Sequence, residues 1–168
     1  SPAAQTELTR CYTEKAQIAA DRGDLPAARR DLEHALELCR CVAEQFPEEA
    51  DLQNQVALYC IGLGDIARDL GDEPAALGYH QEALEVSQRV ASMPYGEDDP
   101  RHNVVDSLDR LGLMALAAED LSGARQRFQQ ALAIREQLAK QMPEDDEIQR
   151  ELALSHDKLG LLSRDDSD

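Results

Sequence analysis

Four histidines, four cysteines and three short carboxylate runs are the groups of this 168-residue chain whose types suit metal binding or acid–base work. Such chemistry needs side chains that converge, as ligands do when they stand three or four residues apart on a helix. His34, His80, His102 and His156 recur at metal-ligand spacings neither with one another nor with Cys11, Cys39, Cys41 and Cys60. Cys39 and Cys41 are two positions apart, which on a helix turns them roughly 200° from each other. They cannot easily grip one ion, and the irregular spacing of all four gives no disulfide framework. The thiols read as incidental or as small buried apolar groups in a reducing compartment. The runs Glu48, Glu49, Asp51; Glu97, Asp98, Asp99; and Glu144, Asp145, Asp146, Glu147 lack the alternating oxygen ligands and central glycine of a calcium loop. Each precedes a stretch of helical periodicity, where negative charge favours the helix dipole, and an acidic edge of this kind could steer a basic partner. The residues therefore predict no catalytic group, no metal and no cofactor.

The charge balance narrows the partners. With 34 acidic against 17 basic residues the formal net charge is −17, which disfavours phosphate backbones and anionic lipid heads. Aromatic residues make up 4% and Trp is absent, so the stacking platforms of single-strand binders are missing too. Nucleic acid and membrane surfaces are thus not expected partners. No apolar run of about 18 residues could span a bilayer. The opening SPAAQTELTR has neither an initiating Met nor the zones of a signal peptide, which predicts a piece of a larger cytoplasmic protein.

What positions these groups is a repeat. Gly64, Gly112 and Gly160 stand 48 residues apart, as do Ala28, Ala76 and Ala124, and Ala35, Ala83 and Ala131. Columns such as Leu63, Leu111, Leu159 and Val42, Val90, Leu138 agree in character. A fixed period of this size marks a solenoid, in which each unit buries its apolar face on the next. Within a unit, apolar residues such as Val56, Ile61, Leu63, Ile66 and Leu70 keep helical spacing, GDEP interrupts, and Ala76, Tyr79, Ala83, Leu84 and Val90 resume it. Gly71 can end the first helix, Asp72 cap the second and Pro74 suit its first turn; Gly23, Asp24 and Pro26 repeat the device, while Glu119 replaces the glycine in the third copy. Pro47, Pro94 and Pro143 mark the turns between units. The pattern predicts an all-α chain of seven helices: 3–22, 25–45, 49–70, 74–92, 99–118, 121–142 and 145–163. These make one domain over 1–168 of three hairpins, 3–45, 49–92 and 99–142, with the last helix unpaired.

The Leu-Gly, Ala, Gly-Asp turn, Ala, Ala columns resemble the tetratricopeptide repeat, and the likeness covers almost the whole chain. It implies a right-handed α-α superhelix of about three and a half hairpins. The usual unit is about 34 residues, so each unit here is longer by about two turns in each helix. In this respect it resembles long-helix members in bacterial signalling and regulatory proteins. A further departure is the aromatic near the start of the first helix, which appears as Tyr12, Cys60, Leu108 and His156. In the family small residues let paired helices approach, here Gly64 against Ala76 and Ala83, and Gly112 against Ala124 and Ala131. Because a mid-helix glycine costs about 1 kcal/mol against alanine, the column needs such a reason. His80 shares a column with Leu32 and Phe128 and reads as a core side chain between paired helices.

The resemblance also implies a function: a non-enzymatic scaffold whose concave face, lined by the first helix of each pair, binds a peptide or helix of another protein. Carried over position by position, that face comprises Arg10, Thr13, Gln17, Leu58, Ile61, Asp65, Arg68, Asp106, Asp109, Arg110, Leu113, Leu116, Leu154, Asp157 and Leu161. It does not look like the family's carboxylate clamp, whose positions hold Thr13, Gln17, Gly62, Asp106 and Arg110, with agreement at Arg110 alone. Two other readings stand beside it. The last helix could pair two copies of the chain through Leu152, Leu159, Leu161 and Leu162, or the array could be a sensor domain of a larger signalling protein.

Overall fold

The computed structural model describes residues 2–94 and 99–165. Among these residues there are seven helices and no strand: α1 Pro2–Asp21, α2 Leu25–Gln45, α3 Ala50–Asp69, α4 Glu73–Ala91, α5 Arg101–Ala117, α6 Leu121–Gln141 and α7 Asp146–Asp165. They fall into two compact units, Ser1–Asn103 and Val104–Asp168. The second inter-repeat connection is longer than the first, yet the 48-residue period holds across it. The extra length comes from the helices themselves, α4 stopping at Ala91 and α5 starting only at Arg101.

The three hairpin turns are built alike. The amides of Asp24, Asp72 and Asp120 donate to the carbonyls of Ala19, Ala67 and Ala115 five residues back, at 2.9, 2.8 and 2.8 Å. Those of Gly23, Gly71 and Glu119 donate to Ala20, Arg68 and Leu116. This bond pair closes a helix only if the residue before the aspartate is left-handed. Gly23 and Gly71 adopt φ of 77° and 75° without penalty, and Glu119 is forced to 60°. Each aspartate then caps the following helix, its carboxylate accepting from Ala27 N, Ala75 N or Gly123 N at 3.1, 3.2 and 2.9 Å. One residue thus finishes one helix and starts the next.

The carboxylate runs serve helix starts where they are described. Asp51 lies in the first turn of α3, and Asp145 Oδ1 accepts from Glu147 N and Ile148 N ahead of α7. Asp99 accepts from Arg101 N at 3.0 Å, while Glu97 and Asp98 lie outside the described residues.

In the first unit the core runs through α2, α3 and α4, from Leu36, Cys39 and Ala43 across Val56, Ala57, Cys60 and Leu63 to Ala83, Val86 and Val90. In the second, Ala124, Phe128 and Leu162 pack with Ala115, Leu116 and Leu159, and Leu138, Ala139 and Ile148 with Ile134, Met142 and Leu152.

At Gly64 and Gly112 the paired helix makes its close approach through a ring. A Cβ on Gly64 would meet first the His80 imidazole, 2.5 Å from Nδ1 and 2.7 Å from Nε2. On Gly112 it would stand 2.6 Å from Phe128 Cε1. The glycines make room for rings sixteen residues on. In the first repeat, where the equivalent positions are Ala16 and Leu32, no ring needs the space. Gly160 meets nothing within 4 Å.

Candidate functional site

The first-helix face of the first unit is polar and largely self-paired. Arg10 bonds Glu7 at 2.7 Å and approaches Glu14 at 3.8 Å, Gln17 Nε2 donates to Asp21, and Arg68 pairs with Asp65 and Asp69. Exposed, solvent-screened pairs of this kind add little stability and yield readily to a partner's charges. Thr13 Oγ1 lies 3.2 Å from Tyr59 Oη, a hydrogen bond that ties α1 to α3. Leu58 is 41% exposed, whereas Ile61, expected on the same face, is 7% exposed and belongs to the core. The reason is rotational: Ile61 follows Ala57 and Cys60 on the packed stripe of α3, both fully buried.

In the second unit a buried ionic cluster organises the face. Arg135 of α6, its side chain 7% exposed, donates through Nη2 to Asp109 Oδ2 of α5 at 2.9 Å. Its Nη1 donates to Ser155 of α7 at 2.9 Å, and its Nε reaches Glu151 at 3.4 Å. Lys158 of α7 donates to the same Asp109 oxygen at 3.0 Å. Burial works against the Arg135 charge, but Asp109 and Glu151 outweigh it and raise the guanidinium pKa. Asp109 therefore fastens three helices together rather than standing ready at the surface. Arg135 is the residue that sequence reasoning missed, in a column of Cys39 and Ser87. A signal existed: an acid replaces Ile61 in one core column in the same repeat in which a base replaces Ser87 in another.

Around this cluster the apolar surface is open. The Asp109–Lys158 bond sets α5 beside α7; Leu113 lies one turn on from Asp109, and Leu154 and Leu161 lie one turn either side of Lys158. Leu113, Leu154 and Leu161 are 48%, 59% and 63% exposed. Asp106 and Arg110 pair at 3.7 Å beside them, Asp157 is exposed, and Leu116 turns partly into the core. The leucine stripe expected to pair two chains is divided differently. Leu162 is buried, and Leu152 and Leu159 pack against the unit's own core, because α7 lays that side on α6. Only Leu161 of the four stands exposed.

The histidines do not converge. His80 is fully buried, its Nε2 3.7 Å from Asp65 Oδ1; His34 lies 5.0 Å from the Tyr12 ring, and His102 and His156 are exposed. Among the described residues no group of three or more His, Cys, Asp or Glu side chains is placed to hold a metal ion. No helix there is long and apolar enough to cross a membrane.

Two models of the tetratricopeptide repeat match the chain, one over residues 54–137 and one over residues 8–42. No curated protein matches it. Among solved structures, BtubC (BKLC) from P. vanneervenii is 26% identical and superposes with a TM-score of 0.72 over 98% of this chain, which spans 58% of that protein's chain. A de novo designed helical repeat protein superposes with a TM-score of 0.53 over 98% of this chain and 96% of its own, at 16% identity, a likeness of α-α solenoid fold alone.

Proposed function

The chain belongs to the tetratricopeptide repeat family, a fold of protein-interaction scaffolds, and from that premise we propose that it is non-catalytic and binds a peptide segment or helix of a partner protein on its first-helix face. The observation that carries this reading is the exposure of Leu113, Leu154 and Leu161 around the Asp109–Lys158 bond. Single exposed leucines are ordinary, but three at neighbouring register positions on two joined helices offer apolar anchor points. The flanking Asp106, Arg110 and Asp157 supply a polar rim of both signs, the arrangement of an interface that excludes water at its centre. In the first unit Leu58, with Arg10, Thr13, Gln17, Asp65 and Arg68, offers the corresponding surface.

Crosslinking pull-down from the native cell tests the proposal, comparing wild type with a Leu113→Asp, Leu161→Asp double variant. Both leucines are exposed, so the substitutions leave the fold within about 0.5 kcal/mol. Ile61 is unsuitable for this purpose, because its substitution would disturb the core. Proteins captured by wild type and lost from the folded variant support the face; identical capture by both removes it.

A further inference from the structure

A second surface of the first unit is lined by the carboxyl-terminal halves of α2 and α4 and the start of α3. It is a groove of about 830 Å³. The volume falls within the range of about 300–1,000 Å³ in which pockets enclose small ligands or a few side chains. Its floor is apolar: Ala43, Val56 and Val86 are buried, and Met93 is half-buried. Both cations along its walls have hydrogen-bond partners, and one of them is ion-paired. Arg40 pairs with Glu82, and Arg89 donates to Gln53 Oε1 at 2.9 Å while Gln53 Nε2 donates to Ala43 O at 3.0 Å. Glu44, Glu48 and Glu85 remain on the rim, exposed, with no ion pair among the described residues.

We propose that this groove binds a short basic segment of a partner protein, an apolar side chain seated on the Val56–Val86–Met93 floor and flanking Lys or Arg side chains bonded to Glu44, Glu48 and Glu85. Charge complementarity around an apolar floor favours this occupant. Glu82 neutralises Arg40, and Arg89, bonded to the neutral Gln53, stands as one cation against the three exposed carboxylates, so the groove is net anionic and a cationic partner gains charge-assisted hydrogen bonds there. An acidic ligand would meet an excess of carboxylates over free cationic charge. This site is separate from the first-helix face and stands or falls independently of it.

The probe is a fluorescein-labelled hexapeptide, Lys-Arg-Leu-Leu-Arg-Lys, with a control in which both leucines are serine. Anisotropy titrations use wild type, a Glu44→Lys, Glu48→Lys, Glu85→Lys variant, and a variant carrying Glu144→Lys, Asp146→Lys and Glu147→Lys, which changes net charge equally at a distant turn. The proposal expects the rim variant to lose affinity about tenfold or more, the distant variant to stay within about threefold, and the serine peptide to bind weakly. It also expects, in protein carrying ¹³C-labelled methionine methyls, that Met93 shifts on binding while Met114 and Met142 do not. Absence of binding to wild type, equal loss in both variants, equal binding of the serine peptide, or an unmoved Met93 signal each overturns it. Self-association of wild type that the rim variant abolishes would assign the groove to a second copy and overturn it as well.

Discussion

Equivalent glycines at one column should respond in opposite directions to the same substitution. Replacing a mid-helix glycine by alanine ordinarily stabilises by about 1 kcal/mol, because alanine loses less backbone entropy on folding. At Gly160 nothing lies within 4 Å, so Gly160→Ala should show that gain undiminished. At Gly64 the new methyl would stand 2.7 Å from Nε2 of the fully buried His80 ring. Overpacking of this kind costs about 1–3 kcal/mol. With the contact so far inside van der Waals separation, the upper end applies, and Gly64→Ala should be net destabilising by about 2 kcal/mol, close to 3 kcal/mol from its sister. In a chain of this size that is a melting temperature lower by about 4–8 °C. Gly112→Ala, against Phe128, should follow Gly64. The double variant Gly64→Ala, His80→Leu recreates the Ala16–Leu32 pairing of the first repeat and should recover most of the loss, a coupling that a double-mutant cycle reads directly. Urea and thermal unfolding followed by circular dichroism supply the midpoints. If Gly64→Ala raises the midpoint, or Gly160→Ala lowers it as far as Gly64→Ala does, close approach of the ring is not why the glycine is there.

Three further outcomes are expected. Glu119 holds φ of 60°, a conformation costing an L-residue about 1–2 kcal/mol, so Glu119→Gly should raise the urea midpoint by the equivalent of about 1 kcal/mol while Gly71→Ala lowers it. Arg135→Met removes the buried partner of Asp109 and Glu151 but leaves Asp109 its bond from Lys158, and should cost about 1–3 kcal/mol, with Arg135→Met, Asp109→Leu recovering part of it; a single variant as stable as wild type would remove the cluster's role. Burial pushes the Cys39 thiol up to about 11 and the Cys60 thiol to about 12, so at pH 8 a disulfide-exchange reagent should titrate the exposed Cys11 and Cys41 in the native protein and all four thiols in urea.

The helices, their turns and the lost glycine at Glu119 were legible because each is decided within a few residues: a left-handed position, an aspartate cap, an apolar period of 3.6. The 48-residue spacing then placed every copy in register. What the glycines touch was not legible, since the alanine columns and the ring column are equally periodic and only packing separates them. The face was read in part for the same reason. Leu58, Leu113, Leu154 and Leu161 proved open, but Ile61 is closed over by the core and Asp109 is taken by Arg135 and Lys158. Whether a column position is exposed depends on the neighbouring helices, which a single column does not record. The α2–α4 groove was invisible because its walls are residues of ordinary helix surface, and the gap between them has no sequence signature.

The aspartate shared by two helices leaves the hairpin turn without slack. A residue inserted or deleted between Gly71 and Asp72 would turn the whole of α4 by about 100°, carrying Ala76, Ala83 and Leu84 off the packed side together. The connections between hairpins carry no shared aspartate of this kind, and the helix ends around the one between α4 and α5 already differ from their counterparts while the 48-residue period is kept. The shared aspartate thus makes the hairpin, rather than the single helix, the piece that engineering can copy, delete or exchange whole.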